Sequence, residues 1–234
     1  MSLKESRGNM YDWVTHMHSH LGGECPHKCT YCYVQKNRFG VSPRYQGNLR
    51  LIIDELKVNY GENKIIFIEH MNDMFAKEVK RNWITEIFIH CNNYPLNQYV
   101  FQTKNPLRAY QFLEYFPPQY MIGTTIETNK NLPEHISLAP QPIERIKGIA
   151  LFAGKGLKTF ITIEPILDFD VGYLGKWIEL IKPDFVNIGA DSKNCGLIEP
   201  SKEKVLALIK YLQAIDITIK KKVNLRRLGI NMEQ

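Results

Sequence analysis

Apolar and polar positions fall into blocks along the chain, and their period changes from block to block. Trp13 to His18 reads as a short strand leading into a cysteine-rich loop. Leu49, Ile52, Ile53 and Leu56 recur at helical spacing, which predicts a helix over Leu49 to Val58 that stops near Gly61. Lys64 to Glu69 is an unbroken apolar run between polar ends, the pattern of a strand covered on both faces. Val79, Trp83, Ile87 and Cys91 then recur at fours and predict a helix that ends before Pro95. The alternation continues with strands at Gln98 to Thr103, Met121 to Ile126, Thr159 to Ile163 and Phe185 to Ile188. Between and after them come helices at Pro106 to Tyr115, Pro142 to Phe152, Tyr173 to Ile181 and Ser201 to Ala214. Gly154 and Gly156 close the second of these, and Ser201 is a good N-cap for the last.

Six strand–helix units with apolar strands predict an α/β protein with a parallel sheet and right-handed crossovers. Six are too few for a closed eight-unit barrel and suit an open doubly wound sheet or a partly closed barrel. Either architecture binds ligands at the carboxyl ends of its strands. The polar residues just past those ends are therefore candidates: Glu69, His70, Asn72 and Asp73, then Thr103 and Lys104, Glu127 and Asn129, Glu164, and finally Asn187 and Asp191.

Composition narrows the class. With 234 residues, 44% hydrophobic and 23% charged, the chain has the make-up of a globular protein and is expected to fold as one domain over residues 1–234. No apolar run approaches the ~20 residues of a membrane span, and the first residues carry no apolar secretion signal. A cytoplasmic protein without a membrane partner is expected. The net charge of +6 is modest, and part of it lies in a basic C-terminal segment, 217–234, that includes Lys220, Lys221, Lys222, Arg226 and Arg227. That tract reads first as a solvated face and second as a phosphate contact.

The five cysteines say more. An odd number in a chain without secretory marks argues against a disulfide framework. Cys91 and Cys195 are isolated and read as small buried hydrophobes. Cys25, Cys29 and Cys32 share one loop (19–35) at C-x3-C-x2-C spacing, one ligand short of closing a tetrahedral zinc or a four-iron cube. One reading is a structural zinc whose fourth ligand is His27 or one of His16, His18 and His20. The other is a cube held on three irons, with the fourth open to a cofactor or substrate.

The three-cysteine motif, with Tyr31 before the last cysteine and a βα array behind it, resembles the radical S-adenosylmethionine superfamily. The wording of residues 24–35, together with 71–75, 102–104, 123–127, 142–145 and 163–166, is similar to its spore photoproduct lyase-like branch and to an uncharacterised phage-associated group. The resemblance runs from about Thr15 to Gly189 and implies a partial (β/α)6 barrel. It implies that Cys25, Cys29 and Cys32 hold a [4Fe–4S] cluster whose fourth iron binds S-adenosylmethionine. One electron, from a reductase or flavodoxin-type donor, would then cleave the sulfonium to a 5′-deoxyadenosyl radical that abstracts hydrogen from the substrate. Tyr31 and Tyr33 would flank the cluster and adenine. Glu69, Asn72 or Asp73 would take the ammonium in place of the usual Gly-Gly-Glu, Lys104 the carboxylate, and Thr125, Glu127 and Asn129 the ribose hydroxyls, with Glu164 at the same rim. No cysteine lies between Tyr33 and His90 to serve as the lyase hydrogen donor. The substrate stays open, with nucleic acid or a nucleotide favoured by the basic tail. The rival readings are a non-catalytic zinc or iron–sulfur nucleic-acid-binding module and a group transferase that uses the cofactor without radicals.

Overall fold

The computed structural model describes residues 3–6, 11–37 and 39–231. The β-rich blocks become strands β1 (Lys4–Glu5), β2 (His16–His18), β3 (Leu21–Gly22), β4 (Arg50–Leu51), β5 (Ile65–Ile68), β6 (Gln98–Thr103), β7 (Tyr120–Thr125), β8 (Thr159–Ile163), β9 (Phe185–Ile188) and β10 (Ile219–Lys221). The helices are α1 (Arg81–Asn92), α2 (Pro106–Tyr110), α3 (Pro142–Ala153), α4 (Val171–Ile181) and α5 (Lys202–Ala214). One eight-stranded sheet runs in the order β1-β2-β5-β6-β7-β8-β9-β10, while β3 and β4 form a separate ribbon. Only β1 runs antiparallel within the large sheet; β2 and β5 to β10 are parallel. This is the expected α/β architecture with a mostly parallel sheet.

Alternation along the strands sorts two cores. Ile66, Ile68, Tyr99, Phe101, Ile122, Ile161, Ile163, Val186 and Ile188 pack with the helices. Phe67, Val100, Met121, Phe160 and Phe185 face the other way and meet Tyr11 and Val14. The Tyr11 ring lies 6.1 Å from Phe67 on β5 and 5.8 Å from Phe160 on β8. In a flat sheet these strands lie about 14 Å apart, three times the ~4.8 Å spacing, so one ring reaches side chains from both. Tyr11 and Trp13 stack on this face at 5.4 Å. Gly123 makes room there, since a Cβ at this position would stand 2.3 Å from the Phe160 ring.

Three expectations are corrected. Leu49 to Val58 is not a helix: Arg50 and Leu51 pair with Gly22 and Leu21, Ile52 N donates to His20 O, and Ile53–Lys57 closes as a 3-10 turn. The backbone groups a helix would need are taken by the chain entering the cysteine loop. The helix expected to reach Tyr115 ends at Tyr110, followed by a separate 3-10 turn over Leu113–Tyr115. The basic segment is in part a seventh parallel strand, with Ile219, Lys220 and Lys221 in register with Val186, Asn187 and Ile188. Three of its charges have partners within the protein. The Lys220 ammonium sits 4.2 Å from the Phe185 ring and 5.0 Å from Trp13, Lys222 pairs with Glu164 at 3.2 Å, and Arg227 pairs with Glu199. Residues 232–234 of that segment lie outside the described ones. No described helix is long and apolar enough to cross a membrane.

Candidate cofactor site

The cysteine loop leaves the β3–β4 ribbon at the carboxyl end of the sheet. Gly23, at φ +86°, passes so close to Asn48 that a Cβ would stand 2.2 Å from its carbonyl oxygen. Short turns then wind the loop, with Lys28 N donating to Cys25 O, Cys32 N to Cys29 O and Lys36 N to Cys32 O. Two neighbouring segments clamp it. On one side His27 Nε2 meets Asp73 Oδ2 at 2.9 Å. On the other, Thr30 N donates to Ile136 O at 2.9 Å and Leu138 N to His27 O at 2.8 Å, bringing Ser137 Oγ to 3.2 Å from Cys29 Sγ.

Cys25, Cys29 and Cys32 are free thiols. Burial pushes the Cys25 thiol up to about 12, and the charge of Asp73 and the other two sulfurs add to the rise. A bound metal centre reverses this, because ligating thiols give up their protons. Among the described residues, no three His, Cys, Asp or Glu side chains stand at the spacing of a single bound ion. The histidines that could complete a zinc site are engaged elsewhere: His27 with Asp73, His18 with Glu55, His20 with Glu69 and His16 with Thr15. The donor set fits a four-iron cluster, in which each corner takes one thiolate and three soft sulfurs leave one corner over.

Several residues expected at the cofactor make contacts within the protein. Glu69, in the left-handed region at φ +59°, accepts from His20 N, His20 Nδ1 (2.8 Å) and Leu21 N. His20 Nε2 in turn meets His90 Nδ1 at 2.9 Å and Tyr60 Oη at 3.0 Å, and His90 Nε2 reaches Val58 O. Burial raises the Glu69 carboxyl to about 7 and drives His20 well below its ordinary range, with His90 adding to the fall. Asn72 donates to Gly23 O and accepts from Asp73 N. Asp73 accepts from the Thr103 hydroxyl, Lys104 N and Phe75 N as well as His27. Its burial favours the neutral acid, but His27 and these donors outweigh it and hold the group at about 2. Asn129 accepts from Asp170 N at the start of α4. These contacts have one cause: buried N–H and C=O groups of the neighbouring loops, most of them distant in sequence, need partners, and the polar side chains at the strand ends supply them.

Glu127 is fully buried among Tyr31, Lys104 and Arg145. Its Oε1 accepts from Tyr31 Oη at 2.5 Å and lies 3.5 Å from Lys104 Nζ, and its Oε2 meets Arg145 Nη1 at 2.7 Å. Burial would raise this carboxyl, yet Arg145 and Lys104 keep it below its ordinary range. Arg145, also buried, spends its other contacts on Pro140 O and Thr125 O and leaves Nη2 without a partner. The Lys104 ammonium lies 5.5 Å from the Tyr31 ring.

Lys104 stands beside the Tyr31 ring, and half-exposed Tyr33 donates to His70 O. Glu164 pairs with Lys222 and accepts from Asn224. Thr125 belongs to a polar floor: Gln102 Nε2 donates to its hydroxyl at 3.0 Å, and Tyr11 Oη bridges Gln102 (2.7 Å) and Thr162 (2.6 Å). His70 is packed against Ser19, and Asp191 closes a turn onto Lys193 N and Cys195 N. Cys91 is buried as expected, whereas Cys195 is only partly so. Tyr11, Ser137 and Arg145 were not expected at this site. Nothing local marks Tyr11 or Ser137, and the one signal for Arg145 was its place in the segment 142–145.

No curated protein matches the chain. Among solved structures it is similar to spore photoproduct lyase complexed with dinucleoside spore photoproduct, at TM-score 0.63 and 11% identity over 92% of this chain and 78% of that one. It is also similar to Streptococcus suis SuiB bound to S-adenosylmethionine, at TM-score 0.60 and 13% identity over 88% of this chain and 49% of that one. SuiB bound to precursor peptide SuiA gives TM-score 0.62 and 12% identity, with 93% and 52% covered. The resemblance to radical S-adenosylmethionine enzymes is thereby borne out at the level of fold. A family model matches residues 22–192, and the chain belongs to the family described as "Protein of unknown function (DUF5131)".

Proposed function

We propose that the chain is a radical S-adenosylmethionine enzyme, with a [4Fe–4S] cluster on Cys25, Cys29 and Cys32 and S-adenosylmethionine at the open corner. The observation that carries this reading is the three-thiol loop, clamped at the carboxyl end of a parallel sheet by His27–Asp73 on one side and residues 136–138 on the other. When bound, the cluster and cofactor supply one-electron cleavage of the sulfonium, the chemistry that yields 5′-deoxyadenosine. The chain's residues do the rest. Asp73 and His27 fix the loop. The Arg145–Glu127 pair fixes Tyr31 and Lys104, so that a protonated ammonium faces the cofactor's carboxylate as a charge-assisted partner. The floor of Tyr11, Gln102, Thr125 and Thr162 offers uncharged hydrogen-bonding groups to what enters the mouth. A reductase or flavodoxin-type protein would supply the electron.

For the substrate, a nucleotide or nucleic acid is the reading we retain. It is supported by the dinucleoside bound to the similar lyase and less by the basic tail, in which Lys220 stands over Phe185 and Trp13 and Lys222 pairs with Glu164.

Anaerobic reconstitution tests the proposal. A brown protein with about four irons, bleached by dithionite and forming 5′-deoxyadenosine from S-adenosylmethionine, supports it, and Cys29→Ala should lose both properties. A colourless protein with one zinc, or S-adenosylhomocysteine as the product, overturns it.

A further inference from the structure

We propose that the Ser137 hydroxyl donates a hydrogen bond to the Cys29 sulfur and thereby raises the reduction potential of the cluster. The inference rests on the cluster reading above and adds a residue that positions no substrate and binds no iron. Ser137 Oγ lies 3.2 Å from Cys29 Sγ, within hydrogen-bonding reach of sulfur. Its direction follows from chemistry: a ligating thiolate has no proton, so only the hydroxyl can donate. Ala139 N also donates to Ser137 Oγ at 3.2 Å, which occupies a lone pair and leaves the hydroxyl proton for the sulfur.

The contact is built rather than incidental. Thr30 N to Ile136 O and Leu138 N to His27 O are rungs on either side of the Cys29–Ser137 pair, so the register of the two segments sets one opposite the other. Ile136 N and Ser137 N both donate to Pro133 O, which pins the turn that presents the hydroxyl. Ser137 is 2% exposed, so water does not compete for the sulfur. Hydrogen bonds to cluster sulfurs are among the factors that set the potential. Reduction adds negative charge to the cluster and makes its sulfurs better acceptors. The bond is therefore stronger in the reduced state, and its loss disfavours reduction. A difference between the two states of about half the strength of a charge-assisted bond gives about a tenfold change in the reduced-to-oxidised ratio at fixed potential, or about 59 mV for one electron.

The test is a redox titration followed by electron paramagnetic resonance, on anaerobically reconstituted wild type, Ser137→Ala and Ser137→Thr. The expected result is a lower midpoint in Ser137→Ala at unchanged iron content, with Ser137→Thr near the wild type because it keeps the hydroxyl. Pulsed measurements on the reduced wild type should also detect a strongly coupled, deuterium-exchangeable proton that Ser137→Ala lacks. Equal midpoints in wild type and Ser137→Ala, with clusters present in both, refute this inference alone. If Ser137→Ala assembles no cluster, the proton coupling in the wild type decides, and its absence refutes the inference. A wild type that assembles no four-iron cluster refutes the proposed function and this inference with it.

Discussion

Glu69→Gln removes a buried proton site while keeping side-chain length and one oxygen, which in the place of Oε1 accepts from His20 N; Leu21 N, bonded to Oε2, loses its acceptor at every pH. In the folded protein the Glu69 carboxyl titrates near 7 instead of 4.5, chiefly because it is buried. In the unfolded chain it ionises at its ordinary value. As pH rises past 4.5 the unfolded chain releases this proton and the folded one keeps it, so the wild type loses stability. The span from 4.5 to about 7, at about 1.36 kcal/mol per pH unit, amounts to about 3 kcal/mol. Below pH 4.5 the contribution is fully present, and above 7 the loss is complete and the difference becomes constant. His20 acts in the opposite direction: its neutral ring costs stability as pH falls below 6.5. Since it does so in both proteins, it cancels in the comparison. Urea denaturation at half-unit steps from pH 4 to 8 gives the two stability curves. The wild-type curve should fall relative to that of Glu69→Gln by about 3 kcal/mol across this window. Curves that stay parallel would show that the Glu69 proton is not held by the fold, and the reasoning fails.

Arg145→Met leaves Glu127 buried with only Lys104 for charge, and should cost about 3–5 kcal/mol in denaturant titrations; adding Glu127→Gln to the same chain should recover most of the loss. Asp73→Ala strands four donors, from His27, Thr103, Lys104 and Phe75. At about 1 kcal/mol each the loss is about 4 kcal/mol, and reconstituted protein should hold less iron per chain; full iron content would contradict the clamp. Gly123→Ala drives a methyl group into the Phe160 ring and should cost about 1–3 kcal/mol by thermal unfolding, with Phe160→Leu restoring part of it.

The continuous apolar run 65–68 was legible as a strand because a parallel sheet buries both faces, and the caps at Asp170 and Ser201 fix where α4 and α5 begin. The misread segments had their periodicity outweighed. Leu49 to Val58 carries helical spacing, but the chain beside it takes its backbone bonds. Lys220 and Lys222 look like a solvated tract, yet their methylene stems and ammonium groups cover Trp13, Phe185 and Tyr11.

Spacing put Cys25, Cys29 and Cys32 within eight residues of one loop, a reach of at most about 25 Å that the turns Lys28 N to Cys25 O and Cys32 N to Cys29 O shorten. The roles of the polar residues at the strand ends were not written locally. Glu69, Asp73 and Glu127 are all carboxylates after parallel strands, and what each does depends on which donor the fold brings to it: His20 and Leu21, His27 and Lys104, or Arg145 and Tyr31. Such partners come from up to about a hundred residues away, as with Tyr31 and Glu127. A buried carboxylate's charge and reach are set by those partners. Chain order thus determined the sheet and the sulfur loop, and tertiary packing decided which partner each buried polar group takes.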